Sequence, residues 1–270
     1  MVKSAIVLFL IVLPLFSESL LLNKIESLIG EKSFNKNNSY IKIIFSPESD
    51  YYKNERVDVV KVVQTLKDNG LLKLFFESPK EIELSFSTNA EALFFVKIIE
   101  DTLQDMGYYK YLIVEAKLNS SEFIWKIKLI AEYIMDPIVL KQELKKRASY
   151  LVNIERLSPT AWHYEVDISR AHLDAYVVVN NKKTRLKNSQ YAYWLDVASS
   201  KELVIESRNR NRWYPYVALY DAKLRLLDLI KKDERTPRLS IPLPEGTTYV
   251  KLDDMYSMKN IKDGFEVKGR

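Results

Sequence analysis

Apolar positions at helical spacing begin the readable pattern of this chain. The segment 22–29 has apolar residues at i, i+3 and i+7, which predicts a short helix that ends at Gly30. Residues 31–39 are mostly polar and predict a linker, so that 20–39 is a short helix followed by a connection. The apolar run 40–45 then predicts a strand.

Three longer helices are predicted further along the first half. The first has valine and leucine residues on one face over 59–66 and ends at Gly70. The second begins with a capping box formed by Thr88 and Glu91. The third begins with Asp136 as its N-cap, followed directly by a proline in the first turn.

Each of these helices is followed by two apolar or aromatic runs that predict strands. The runs are 71–76 with 82–86, 109–114 with 123–130, and 150–154 with 162–168. Since the helix ends lie about 40 residues apart, an αββ unit repeated three times is the simplest description. Each helix and each hairpin has one apolar side, so the units must pack helix on sheet. We therefore predict either one α+β domain or small βαββ modules in series over 40–169.

The second half of the chain changes to short strands separated by turn residues. Seven such runs are readable: 175–179, 192–197, 202–207, 216–220, 224–230, 238–241 and 248–252. Closely spaced strands of this kind predict an all-β sandwich, which we place over 170–270.

Four pieces of this region have a recognisable order. The paired runs 193–197 (YWLDV) and 203–207 (LVIES) are followed by 215–221 (PYVALYD) and 244–252 (PEGTTYVKL). Together they resemble the bacterial pre-peptidase C-terminal domain. The resemblance implies a jelly-roll-like sandwich without catalytic activity, which binds glycans or proteins or stabilises its host. Some members bind calcium through acidic residues, but this chain has the basic run 208–213 (RNRNRW) at that place.

Composition removes most catalytic chemistry. The chain of 270 residues has no Cys, two His and six Gly, which excludes thiol nucleophiles, disulfides, thiolate-bound zinc and glycine-rich phosphate loops. Neither His163 nor His172 lies near a nucleophile elbow or a metal motif. Carboxylate pairs such as Glu81 with Glu83 are expected to be solvated. We predict no enzyme activity, no cofactor and no metal site.

The N-terminus predicts export. Lys3 precedes the apolar run 5–16, and Ser17 and Ser19 are small residues at the positions that signal peptidase requires. We predict a signal peptide over 1–19 that is cleaved after Ser19; the alternative is an uncleaved N-terminal anchor. No second apolar stretch of membrane length follows, so no span is expected in the mature chain. The Cys-free, Lys- and Asn-rich composition favours the bacterial periplasm.

The most distinctive polar segment lies in the second half. Arg208, Arg210 and Arg212 alternate, so in an extended segment they would project on one side, with Trp213 and Tyr214 beside them. Guanidinium groups bind carboxylates and phosphates, and a Trp face stacks on sugars. We predict a contact surface for an acidic partner, an anionic glycan or a lipid head group. The alternative is an exposed loop whose arginines are only solvated.

These observations support a functional hypothesis. We predict a non-enzymatic periplasmic scaffold or assembly protein that contacts envelope proteins. The whole chain resembles uncharacterised exported proteins of flagellated Gram-negative bacteria, some linked to motility, which suggests an envelope-spanning machine such as the flagellar motor. The alternative is a secreted module that binds glycan or peptidoglycan. The net charge of +5 is too weak a field to indicate nucleic acid.

Overall fold

The computed structural model describes residues 19–208 and 210–270. The chain divides into two compact units, one that ends at Leu74 and one that comprises Phe75–Arg270. The predicted domain 40–169 therefore spans parts of both units, and the predicted boundary at 169/170 falls inside the second. The predicted signal peptide lies outside the described residues except for Ser19, whose Oγ accepts the Leu22 N–H at 3.2 Å and caps the first helix.

The first unit is mainly helical. Its elements are α1 (Leu20–Ile29), α2 (Glu31–Lys36), α3 (Asn38–Ile44), the two-residue strands β1 (Tyr52–Lys53) and β2 (Arg56–Val57), and α4 (Val59–Asp68). The predicted helices α1 and α4 are confirmed. Their buried faces follow the helical period, as in Leu21, Ile25 and Leu28 of α1 and Val62, Val63 and Leu66 of α4.

The predicted linker over 31–39 and the predicted strand over 40–45 are both wrong, because these residues form α2 and α3. Ile41 and Phe45 are fully buried four residues apart, whereas Ile43 is 71% exposed. A strand would place Ile43 on the same side as Ile41, so this burial fits only the helical period. A run of six residues is too short for the sequence alone to distinguish the helical from the strand period.

The second unit begins with a five-stranded sheet and two helices. Its elements are β3 (Phe75–Thr88), α5 (Ala92–Asp105), β4 (Leu112–Leu118), β5 (Phe123–Tyr133), α6 (Pro137–Lys146), β6 (Tyr150–Ser158) and β7 (Ala161–Asp167). The strand order is β4-β5-β3-β7-β6. β3 is parallel to β7, and the remaining pairs are antiparallel.

Two corrections concern this sheet. The runs 71–76 and 82–86 do not form a hairpin; β3 continues through the interval as one strand, with a pairing irregularity between Phe75 and Lys80. Two helix-plus-hairpin units therefore flank a central strand, in place of three equal αββ units. The capping box is also absent, because α5 has Glu91 as N-cap without a side-chain bond and Thr88 ends β3. The predicted cap of α6 is confirmed.

Alternation along the central strands produces the core of this sheet. Ile82, Leu84 and Phe86 of β3 are fully buried, as are Trp125 and Ile127 of β5 to within one per cent. The Phe86 ring stacks on Tyr164 of β7 at 5.5 Å between centroids. Phe95 of α5 packs edge-to-face on Phe123 of β5 at 6.0 Å and α6 contacts β6, so this part has the helix-on-sheet packing that the sequence predicts.

The rest of the second unit consists of short strands and one 3₁₀ helix (Met258–Ile261). The elements are β8 (Tyr176–Val177), β9 (Lys183–Leu186), β10 (Tyr193–Asp196), β11 (Glu202–Ser207), β12 (Pro215–Tyr220), β13 (Leu226–Lys231), β14 (Arg238–Pro242), β15 (Tyr249–Asp254) and β16 (Phe265–Gly269). A strand coincides with each of the seven predicted runs, whereas β9 and β16 were not predicted. The strands form two sheets of order β13-β12-β15-β10-β8 and β14-β11-β16-β9.

The two sheets share one hydrophobic core. Leu195, Val217 and Val250 from the first sheet are fully buried in the same cluster as Ile205 and Phe265 from the second. The chain is thus α+β, with a helix-and-sheet part followed by a part made of two packed β-sheets.

Candidate functional site

The arginine-rich segment is a tight turn after β11. The Asn211 N–H donates to the Arg208 carbonyl oxygen at 2.9 Å, so the chain reverses within four residues. Asn211 is 3% exposed, its Nδ2 donates to the Gly264 carbonyl oxygen at 2.7 Å, and its Oδ1 accepts the Asp263 N–H at 3.0 Å. These bonds fix the turn to the residues that precede β16.

The turn separates the three arginines. Arg208 and Arg210 line a cavity of about 550 Å³ together with Arg185 of β9. Arg212 is exposed but does not line this cavity; its backbone N–H donates to the Asn260 carbonyl oxygen at 2.8 Å. The prediction that all three arginines share one side is therefore wrong, because it assumed an extended segment.

Three carboxylates face these arginines. Arg210 Nε lies 3.2 Å from Asp263 Oδ2, and Arg208 Nη1 lies 4.0 Å from Glu266 Oε1. Glu206 completes the acidic part of the lining. The cavity therefore contains guanidinium groups, two of which lie in exposed ion pairs with carboxylates of this chain.

Lys183 joins two of the carboxylates. Its Nζ lies 3.1 Å from Glu206 Oε2 and 3.0 Å from Glu266 Oε2. Hydrogen bonding to Lys183, and then the charges of Lys183, Arg208 and Arg185, lower the pKa of Glu266. The lining's three arginines (Arg185, Arg208 and Arg210) balance its three carboxylates, and Lys183 and Arg238, each ion-paired with Glu206, bring the net charge of the site to about two positive units at neutral pH.

The chemistry of the cavity is that of ionic recognition. Guanidinium groups can bind carboxylate or phosphate with two parallel hydrogen bonds. The Arg210 side chain is 87% exposed, so its ion pair with Asp263 can exchange for a similar group at little cost. Ser207 also lines the cavity, and its Oγ has no hydrogen-bond partner among the described residues.

The two aromatic residues of the predicted surface lie elsewhere. Trp213 is fully buried, its Nε1 donates to the Asp253 carbonyl oxygen at 2.9 Å, and its ring meets Phe265 edge-to-face at 5.0 Å. Tyr214 is half-buried and packs edge-to-face on Tyr256 at 5.2 Å. Trp213 is thus a core residue, and its prediction as a sugar-stacking surface is wrong.

The two histidines occupy separate places. Both ring nitrogens of His163 lie 3.0 Å from serine hydroxyls of β3, those of Ser85 and Ser87. His172 is exposed, and its backbone N–H donates to the Arg147 carbonyl oxygen at 3.2 Å.

Sequence reasoning missed a second charged cleft, around Arg147. This side chain is buried, and its Nη2 donates to Asp105 Oδ2 at 2.7 Å, whereas Nε and Nη1 have no hydrogen-bond partner among the described residues. His172, Asp174 and other residues complete a cleft of about 480 Å³. A basic residue directly after a helix reads as a solvated C-terminal charge, so the sequence carries no signal for this burial.

Comparisons with known proteins give no further identification: no protein-family model matches the chain, and no curated protein matches it. Over residues 19–208 and 210–270, no helix is both long and apolar enough to cross a bilayer. In the same residues, no group of three or more His, Asp and Glu side chains is placed to hold a metal ion.

Proposed function

We propose that this chain is a non-enzymatic periplasmic protein that serves as a scaffold or assembly component of the cell envelope. It binds an acidic segment of a partner protein at the cavity beside Arg208. The observation that carries this proposal is the fixed turn after β11, which brings Arg208 and Arg210 next to Arg185 on one exposed cavity.

The partner's carboxylates would replace the chain's own. Arg208 and Arg210 hold exposed ion pairs that contribute little to folding, so they are available for exchange. A charged partner would be steered by the local positive charge, and its association would weaken with salt. Because the backbone of the turn is fixed by the bonds of Asn211, binding needs to order only the arginine side chains.

The sequence supports the setting of this function. The predicted signal peptide over 1–19 favours export to the periplasm, and the resemblance of residues 193–252 to the pre-peptidase C-terminal domain favours a non-catalytic, jelly-roll-like module. The resemblance to exported proteins of flagellated bacteria favours an envelope-spanning machine such as the flagellar motor as the place of action.

The alternative of a glycan-binding module has lost its main support. It required a Trp face beside the arginines, and Trp213 is fully buried. Arginines without an adjacent aromatic platform favour acidic groups over neutral sugar rings.

The proposal is tested by retention of envelope proteins on the immobilised chain. We expect the variant Arg208→Glu/Arg210→Glu to retain at least about tenfold less partner than the wild type at low salt, because two attractive charges become repulsive. Arg170→Glu, an exposed arginine outside the cavity lining, serves as the matched control and should bind normally.

Three results would contradict the proposal. If Arg208→Glu/Arg210→Glu retains as much partner protein as the wild type, the cavity does not take part in the interaction. A wild-type eluate without any partner removes the scaffold role. Sedimentation of the wild type, but not of Arg208→Glu/Arg210→Glu, with purified peptidoglycan sacculi would return the function to glycan binding.

A further inference from the structure

Strand β4 lies at one edge of the five-stranded sheet. It pairs with β5 on one side, and no described strand pairs with it on the other. Such an edge presents a row of backbone N–H and C=O groups that can pair with another strand. The question is therefore which strand fits beside β4.

The side chains of β4 are unusually apolar for an exposed edge. Leu112 is 66%, Ile113 50%, Val114 41% and Leu118 70% exposed. Natural edge strands are commonly protected by charge, proline or irregular pairing. β4 has one irregularity, near Val114, which leaves the stretch from Glu115 to Leu118 in regular pairing with β5.

Charged side chains alternate in sign across the outer face of the sheet as it approaches this edge. Lys126 of β5 has its Nζ 3.3 Å from Glu83 Oε1 of β3 and 3.1 Å from Glu115 Oε2 of β4. The order is therefore acid, base, acid, and the next strand would continue it with a base. Lys117, on the same face as Glu115, forms no ion pair among the described residues.

A second copy of β4 supplies that base in one register. In a symmetric antiparallel pair, opposite side chains lie on the same face of the sheet only if one residue stands directly opposite its own copy, beside the twofold axis. An axis at Glu115 places two acids opposite each other, and an axis at Lys117 places two bases opposite each other. An axis at Ala116 places Glu115 of each copy opposite Lys117 of the other, within the stretch that pairs regularly with β5.

We propose that this chain forms a homodimer by antiparallel pairing of two β4 strands, centred on Ala116. The two sheets become one continuous sheet, and the charge row extends from Glu83 through Lys126 and Glu115 to Lys117 of the second copy. This interface does not depend on the cavity beside Arg208.

Two other edge strands lack this self-complementarity. β13 (LLDLIK), with an axis at Leu229, would place Asp228 opposite Ile230. β6 has pairing irregularities near both ends, between Leu151 and Asn153 and between Arg156 and Ser158. Of these three edges, β4 is the one that best fits a second copy of the same chain.

The test is the oligomeric state of the full chain, as recovered from the expressing cell, in analytical ultracentrifugation. We expect dimers at about 100 µM protein, since an edge pair buries little area and binds weakly. Lys117→Glu and Glu115→Lys each make both cross-pairs repulsive and should raise the dissociation constant at least about tenfold. Lys141→Glu, an exposed lysine of α6, is the matched control and should dimerise normally.

Mixing the two weakened variants gives the sharpest result. In the heterodimer, the acid introduced by Lys117→Glu in one chain would face the base introduced by Glu115→Lys in the other. The unchanged Glu115 of the first chain would face the unchanged Lys117 of the second, so both cross-pairs become attractive again. We therefore expect the mixture to dimerise at concentrations where each variant alone is monomeric.

Two outcomes overturn the proposal. One is a wild type that stays monomeric at about 100 µM, and the other is a mixture of the two variants that stays monomeric at that concentration. Circular dichroism of each variant shows that its monomer is folded, so that a loss of dimer is not mistaken for a loss of fold.

Discussion

Replacing Trp213 by alanine separates a core role from a surface role. As a surface anchor, Trp213 would contribute to binding and little to folding. As a core residue, it is fully buried between the two β-sheets, with its Nε1 bonded to the Asp253 carbonyl oxygen and its ring against Phe265. The structure therefore predicts a loss of folding stability in Trp213→Ala.

The magnitude follows from the burial. Truncation of a buried Trp to alanine costs about 3–5 kcal/mol, because the transfer free energy is lost and a cavity remains. The lost hydrogen bond from Nε1 to the Asp253 carbonyl oxygen places Trp213→Ala at the upper end of this range. Trp213→Phe keeps part of the ring volume and loses the hydrogen bond, so we expect about 1–3 kcal/mol.

Native-state hydrogen exchange of peptides from β12, β15 and β16 measures the effect in this region alone. A loss of about 4 kcal/mol accelerates exchange of the most protected amides about a thousandfold. Leu226→Ala on β13, where the side chain is 55% exposed, is the matched control and should change stability by less than about 0.5 kcal/mol. An acceleration below about fivefold in Trp213→Ala would refute the core assignment.

Three further predictions concern backbone geometry, capping and charge. Gly264→Ala should lower the free energy of unfolding in urea by at least about 3 kcal/mol, because the φ of Gly264 is +75° and a Cβ would collide with a carbonyl of β9. Gly246→Ala is the control: its φ is +83° but the surrounding space is open, so we expect a loss of about 1–2 kcal/mol. Asp136→Ala should cost about 1 kcal/mol in the same assay through the lost cap of α6, and an unchanged midpoint would contradict it. NMR titration should give Glu266 a pKa below 4.5, and this pKa should rise towards 4.5 in Lys183→Ala. Because the pKa of Glu266 is lower in the folded than in the unfolded chain, its contribution to folding stability is present above pH 4.5 and is lost as the pH falls through the folded pKa.

Local signals explain which elements were predictable. The N-cap Asp136 and the glycine after α1 act on their own neighbours, so the sequence alone locates those helix ends. The strand predicted over 40–45 is wrong because six apolar-rich residues fit either the helical or the strand period. Packing in the core of the first unit favours the helix. The sequence predicts two separate strands in place of β3 because the exposed polar interval within β3 resembles a turn.

The predicted arrangement of the segment around Arg208 is wrong for a different reason. Alternating Arg and Asn residues have a surface composition, and nothing local indicates that Asn211 is buried and bonded to residues more than fifty positions away. Those distant bonds create the turn, and the turn decides that Arg208 and Arg210, but not Arg212, line the cavity. A buried Asn is a non-local feature that composition cannot reveal.

Assembly of the cavity depends on two strands that the sequence did not predict. Arg185 and Lys183 lie on β9, whose start reads as a turn run, and Glu266 lies on β16, near the chain end. β16 pairs with both β9 and β11, so it places Lys183, Glu206 and Glu266 side by side. The charged groups that line the cavity therefore owe their proximity to sheet pairing or to the turn that is fixed on the residues before β16. Arg208 and Arg210 could be singled out from the sequence, but Arg185 and the carboxylates that pair with them could be found only once the strand order was known.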